Sequence, residues 1–328
     1  LFRVNQRKGI GRNRNNLKTK KVKNKDIFEL FELIKQPAPS GKNNIFINQL
    51  KTILKNIKGV HIEIDKYNNI VATKGDAALY PAFACHTDEV HNVETRRLVM
   101  NNDLIYAVNQ YDEQIGMGAD DKAGIVLCIM LLNKLDNVKC FFFANEEIGG
   151  LGATAININY FDDCIFLIEL DRKGSNDAIY NSGGVELCSE DFIINANGYE
   201  KNKHGIFTDV NILKERGVNI SMLNISVGYY YAHTSLEYQN ITELINCYNY
   251  CLLYIDKYKE RQIHEHTTNK YLYDSYYDDY NDYNLNDIQQ ANCNYNHIDK
   301  ECFFEYIVEN YPYLVDDFIN EKNNFYNI

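Results

Sequence analysis

No apolar run in the sequence approaches the roughly 18 residues that a membrane-crossing helix needs, and the first residues lack the apolar core of a secretory signal. A soluble protein with no membrane partner is expected. Paired cysteine spacing is missing too: the nine Cys fall singly among apolar residues, as at Cys85, Cys128, Cys140 and Cys164. That excludes a zinc knuckle and a disulfide-stapled secreted scaffold. The thiols are expected to be buried in a reducing compartment, the cytoplasm, and Cys247 and Cys251, four apart, to share a helix face. Acids are absent from residues 1–25, which hold ten of the 34 Lys and Arg and leave 24 basic against 45 acidic residues in the rest. This basic, Asn-rich and Gly-rich leader reads as disordered, with weak nucleic-acid contacts at most. The body is strongly acidic.

What is present is organised around Gly118-Ala119-Asp120-Asp121-Lys122-Ala123-Gly124, two adjacent carboxylates just ahead of the apolar run Ile125 to Leu132. Adjacent acids repel, so they call for a metal or another cation unless they sit on a solvated helix start. Before this stretch, Ile27, Leu30, Phe31 and Ile34 have helical spacing, and Pro37-Ala38-Pro39-Ser40-Gly41 stops that helix. A second helix carries Ile45, Leu50, Ile53 and Ile57. Val60 to Asp65 and Ile70 to Ala72 form an expected edge hairpin, and Val90 to Val108 another, turning at Asn101-Asn102-Asp103.

Four apolar strands are expected at Pro81–Cys85, 138–144, 164–170 and 222–227. Each leads into chemistry-bearing residues: His86-Thr87-Asp88, Asn145-Glu146-Glu147, Asp171, and Tyr229-Tyr230-Tyr231-Ala232-His233. Open α/β sheets place their sites at the carboxyl ends of strands. Two His and several carboxylates are the mixed nitrogen and oxygen donors that zinc accepts, and one shared carboxylate can bridge two ions roughly 3.5 to 4 Å apart. Either Asp120 or Asp121 suits that bridge. Successive side chains at Glu146 and Glu147 point different ways, so one can hold an ion while the other faces a water.

In this order and with these motifs, residues 26 to 260 resemble the di-zinc exopeptidase superfamily, which includes peptidase T, the carboxypeptidase G type enzymes, glutamyl aminopeptidases and bacterial leucyl aminopeptidases. The resemblance implies an α/β fold with a mixed central sheet flanked by helices, zinc-exopeptidase-like. It implies two divalent metal ions, zinc first, with cobalt or manganese as alternatives. Asp120 would bridge them, His86 and Asp171 would complete one site, and Glu147 and His233 the other. Glu146 would be the general base, and Asp88 would hold the His86 side in place. Only 33 residues lie between His86 and Asp120 and 61 between Asp171 and His233, too few for an interposed or lid domain. A lidless aminopeptidase acting on short peptides is the leading expectation, a carboxypeptidase or deacylase of the same superfamily the alternative, and a catalytically inactive binding protein the reading of another class. One Tyr among Tyr229 to Tyr231 is a candidate oxyanion donor, with His204 and Asp209 at the pocket rim. The expected boundaries are 1–25 for the leader, 26–262 for the catalytic domain, 263–297 for a Tyr, Asp and Asn linker, and 298–328 for a helical appendage.

Overall fold

The computed structural model describes residues 22–93, 95–205 and 207–265. The expected C-terminal appendage, and nearly all of the leader and the linker, lie outside the described residues. At the leader's boundary, helix α1 (Asn24–Leu33) begins before the expected start of the body, with Ile27 and Phe31 fully buried. At the linker's boundary, residues still pair with the body: Ile263 bridges to Ile220, and Lys214 donates to the His264 carbonyl at 2.7 Å.

Helix α2 (Asn44–Lys55) leads into β1 (Val60–Ile64) and β2 (Ile70–Lys74), the expected antiparallel edge hairpin, then β3 (Tyr80–His86). The second hairpin is β4 (Arg97–Asn101) and β5 (Leu104–Val108), with β6 (Gln114–Ile115) against β5. It starts seven residues later than expected from Val90. Before it lies irregular chain in which Arg96 is buried and paired with Glu89. Helix α3 (Ala119–Lys134), β7 (Val138–Phe143), α4 (Leu151–Ala155) and β8 (Cys164–Arg172) follow.

The span after β8 holds the short strands β9 (Asp177–Ile179), β10 (Asn181–Ser182), β11 (Val185–Glu186) and β12 (Glu200–Asn202), then α5 (Asp209–Glu215) and β13 (Met222–Ser226). The chain then forms β14 (Tyr229–Tyr230), β15 (Tyr238–Asn240) and α6 (Ile241–Lys257). No helix among the described residues is long and apolar enough to cross a membrane.

The main sheet has eight strands in the order β1-β2-β7-β3-β8-β13-β9-β12. Its centre, β7, β3, β8 and β13, is parallel, and it is mixed because β2 and β9 join antiparallel. Strands covered on both faces must be apolar on both. In β3, Phe83 and Cys85 enter one core cluster with α3, whereas Ala82 and Ala84 enter the cluster on the opposite face; β7 does the same with Cys140 and Phe142 against Phe141 and Phe143. That alternation is the two-residue period of a strand between two helical layers. The span between Asp171 and His233 adds strands β9, β12 and β13 to this sheet rather than forming a lid among the described residues. A smaller antiparallel sheet has the order β14-β15-β5-β4, with β6 paired to β5. The seven described cysteines are buried free thiols, with Cys247 and Cys251 both on α6.

Candidate metal centre

The parallel arrangement of β3, β7 and β8 brings three chemistry-bearing ends to one edge. His86 is the last residue of β3, Glu146 and Glu147 follow β7, and Asp171 lies within β8, one residue before its end, rather than beyond it. The His86 ring sets Nδ1 3.0 Å from the Asp88 carbonyl oxygen. A proton on Nδ1 donated there leaves the Nε2 lone pair facing inward. Nε2 lies 3.1 Å from Asp120 Oδ1 and 3.6 Å from Asp171 Oδ1.

Asp120 and Asp121 do not form a solvated helix start, since they are 8% and 1% exposed. Both have non-helical backbone angles, the peptide between them is cis, and regular helix begins after them. Gly118 precedes them at φ 66°, where a methyl group would overlap the Glu89 carboxylate, so only glycine fits. Asp120 Oδ2 lies 3.3 Å from His233 Nε2, and Glu147 Oε1 lies 2.9 Å from the same nitrogen. One carboxylate thus stands between two imidazoles. Donor atoms of His86, Asp121 and Asp171, of His86, Glu146 and Glu147, and of Asp120, Glu147 and His233 lie within 4.8 Å of one another in each group. Asp121 is within reach of the first group, but its oxygens already accept the N–H of His86 at 3.0 Å and of Gly124 at 2.8 Å.

Asp88 holds the loop that carries the two glutamates. Its Oδ1 accepts the Glu146 N–H at 2.9 Å, and its Oδ2 accepts the Glu147 N–H at 3.3 Å and the Ser40 hydroxyl at 2.6 Å. Asn69 supports the same loop, accepting the Ala144 N–H at 3.0 Å and donating to the Gly152 carbonyl at 3.0 Å.

Crowding of acids in a buried space dominates the electrostatics. Burial and the Asp120 charge push Asp171 up to about 7, and burial raises Glu146 and Glu147 as well. Burial would also raise Asp120, but hydrogen bonds from His233 and His86 outweigh it and hold the carboxyl low. His233 is lifted to about 11 by Asp120 and Glu147. Burial disfavours the charged His86, yet Asp171 and the other acids raise it. In their ionised forms Asp120, Asp171, Glu146 and Glu147 carry four negative charges, which two divalent cations would balance, and the oxygen and nitrogen donors suit such ions.

A cavity of about 600 Å³ opens on this cluster, lined by Asp120, Glu146, Glu147, Asp171 and His233 and, further out, by Lys173, His204 and Phe207. His204 is thus at the rim. Asp209 instead is 1% exposed and does not line the cavity, with no hydrogen-bond partner for either carboxylate oxygen. Of the three tyrosines, Tyr229 donates to Asp171 Oδ1 at 3.2 Å, Tyr230 donates to Glu243 at 2.8 Å, and Tyr231 is exposed. Among the buried carboxylates near the site that sequence reasoning passed over are Glu89 and Glu237. Their signal was position: Glu89 follows Asp88 directly, and Glu237 comes four residues after His233.

The structure is similar to that of aminopeptidase PepT from Bacillus cereus, with a TM-score of 0.60 and 14% identity over 71% of this chain and 98% of that one. It is similar to a tripeptidase from Staphylococcus aureus, with a TM-score of 0.58 and 15% identity over 71% and 98%. An aminopeptidase from the archaeon Desulfurococcus kamchatkensis matches at 0.52 with 14% identity over 70% and 94%. No protein-family model matches the sequence, and no curated protein matches it. The fold is the zinc-exopeptidase-like α/β fold that the sequence resemblance implies; identity this low carries the fold and not the activity.

Proposed function

We propose that the protein is a metal-dependent exopeptidase, an aminopeptidase that hydrolyses short peptides. The observation that carries this reading is the Asp120 carboxylate, with one oxygen 3.1 Å from His86 Nε2 and the other 3.3 Å from His233 Nε2, beside two glutamates on one loop. Asp120 would bridge two divalent ions, zinc or else cobalt or manganese, with His86 and Asp171 on one and Glu147 and His233 on the other. When bound, the ions supply Lewis acidity at the peptide carbonyl and make a water nucleophilic at neutral pH.

Glu146 accepts the proton of the attacking water and passes it to the leaving amine nitrogen, a role that suits a carboxyl raised by burial among acids. Asp88 keeps Glu146 in place by accepting its backbone N–H. The aminopeptidase reading is supported by the fold shared with aminopeptidase PepT and with the Desulfurococcus kamchatkensis aminopeptidase. The test compares peptides with free and blocked amino termini in the presence of zinc. Cleavage of the free form supports the aminopeptidase reading, whereas cleavage of the blocked form alone assigns carboxypeptidase or deacylase activity. Zinc binding with no hydrolysis of either would favour a binding protein.

A further inference from the structure

The turn that carries Asp120 has a supply problem. Because Asp120 and Asp121 depart from helical angles, the backbone N–H groups of the turn lack the carbonyls that an upstream helix would provide. They converge on one side chain. Glu237 is fully buried. Its Oε2 accepts the N–H of Gly118 at 2.7 Å and of Met117 at 2.9 Å, and its Oε1 accepts the N–H of Asp120 at 3.1 Å. His91 Nε2 lies 2.9 Å from Oε2 as a further donor.

We propose that Glu237 is a positioning residue that fixes the separation of Asp120 and His233 before any ion binds. The inference rests on the reading of those two residues as ligands. Glu237 belongs to the turn that follows His233: its N–H donates to the Thr234 carbonyl, whose residue in turn donates to Tyr231. The next residue, Tyr238, is anchored in β15 opposite Tyr106 of β5. The segment bearing one ligand therefore ends in a carboxylate that grips the segment bearing the other, and His91 ties in the loop beyond Asp88. Every group facing Glu237 is a donor, so the position needs an acceptor at both oxygens. A Gln there would aim an NH₂ at backbone N–H groups and release one side of the grip. Ligand sets held this way gain affinity because the geometry is organised in advance.

The test uses the full chain, the substitution Glu237→Gln, and zinc alone, with affinity read by competition against a chromophoric chelator. The folded variant, checked by circular dichroism and cooperative unfolding, should bind zinc about tenfold or more weakly than the parent. Wild-type affinity in a folded variant would overturn the proposal, since a merely structural carboxylate would lower stability and leave affinity per folded molecule unchanged. In the metal-free parent protein, the Met117, Gly118 and Asp120 amides should exchange with deuterium as slowly as those of β3. Fast exchange there would also overturn it, and this reading decides the matter if the variant does not fold. A parent protein that binds no zinc, yet protects these amides, would instead defeat the metal-site reading.

Discussion

Asp120 and Asp121 are adjacent in the chain, yet their carboxylates serve different neighbours: Asp121 accepts the backbone N–H groups of His86 and Gly124, while Asp120 faces the side-chain nitrogens of His86 and His233. Asp121 thus staples the end of β3 to the start of α3, with one backbone N–H on each of its oxygens. Gly124 lets this happen, because a methyl group there would collide with both Asp121 oxygens.

Replacing each aspartate should therefore have a different result. Asp120→Asn is expected to lose metal and activity together, since it removes a charged ligand and leaves a similar shape. Asp121→Asn should lose about 1 to 3 kcal/mol of stability through a broken buried hydrogen bond, seen as a lower denaturation midpoint. Metal content by mass spectrometry, with the midpoint measured alongside, checks both; retained metal in Asp120→Asn would oppose its bridging role.

Glu146→Gln should leave metal content near that of the parent and reduce kcat by about 10² to 10⁴, because it removes a base and no ligand. Steady-state kinetics on an unblocked peptide gives the answer. An unchanged kcat would remove Glu146 from the reaction.

Asp88→Asn should act through the glutamate loop. An amide has one acceptor oxygen where three donors converge, so the Glu146 and Glu147 N–H groups cannot both be satisfied. A loss of about 10- to 100-fold in kcat or metal affinity is expected. Parent-like values for both would show that the loop does not depend on Asp88.

Glu89 predicts an effect on stability rather than a role in the chemistry. It is buried and pairs with both Arg96 and Lys122. Burial works against its charge, but the two cations outweigh that and hold its carboxyl below the ordinary range. A lowered acid contributes stability that is complete above its unfolded value of about 4.3 and is lost as pH falls through the lower folded value. Glu89→Gln, which strands two buried cations, should cost about 3 to 5 kcal/mol at pH 7. Urea unfolding from pH 7 downward measures both effects, and the variant's deficit should shrink in acid.

Much of this arrangement was legible because buried parallel strands leave continuous apolar runs. Residues 138–144 and 164–170 mark such runs unaided, and the chemistry-bearing residues stand at their ends. The short strands after β8 escaped notice because two- and three-residue strands such as β10 and β12 carry no period to read. Sequence also left Asp120 and Asp121 open, since backbone angles at a helix start decide which neighbour turns inward. Glu89 and Glu237 were hidden for another reason: their roles depend on partners up to 120 residues away in the chain.

Anomalous diffraction at the zinc edge from crystals grown with zinc tests the central claim most directly. The account predicts two peaks about 3.5 to 4 Å apart, one on each side of the Asp120 carboxylate, with His86 and Asp171 on one and Glu147 and His233 on the other. The absence of any peak at Asp120, or peaks held by a different set of residues, would contradict it.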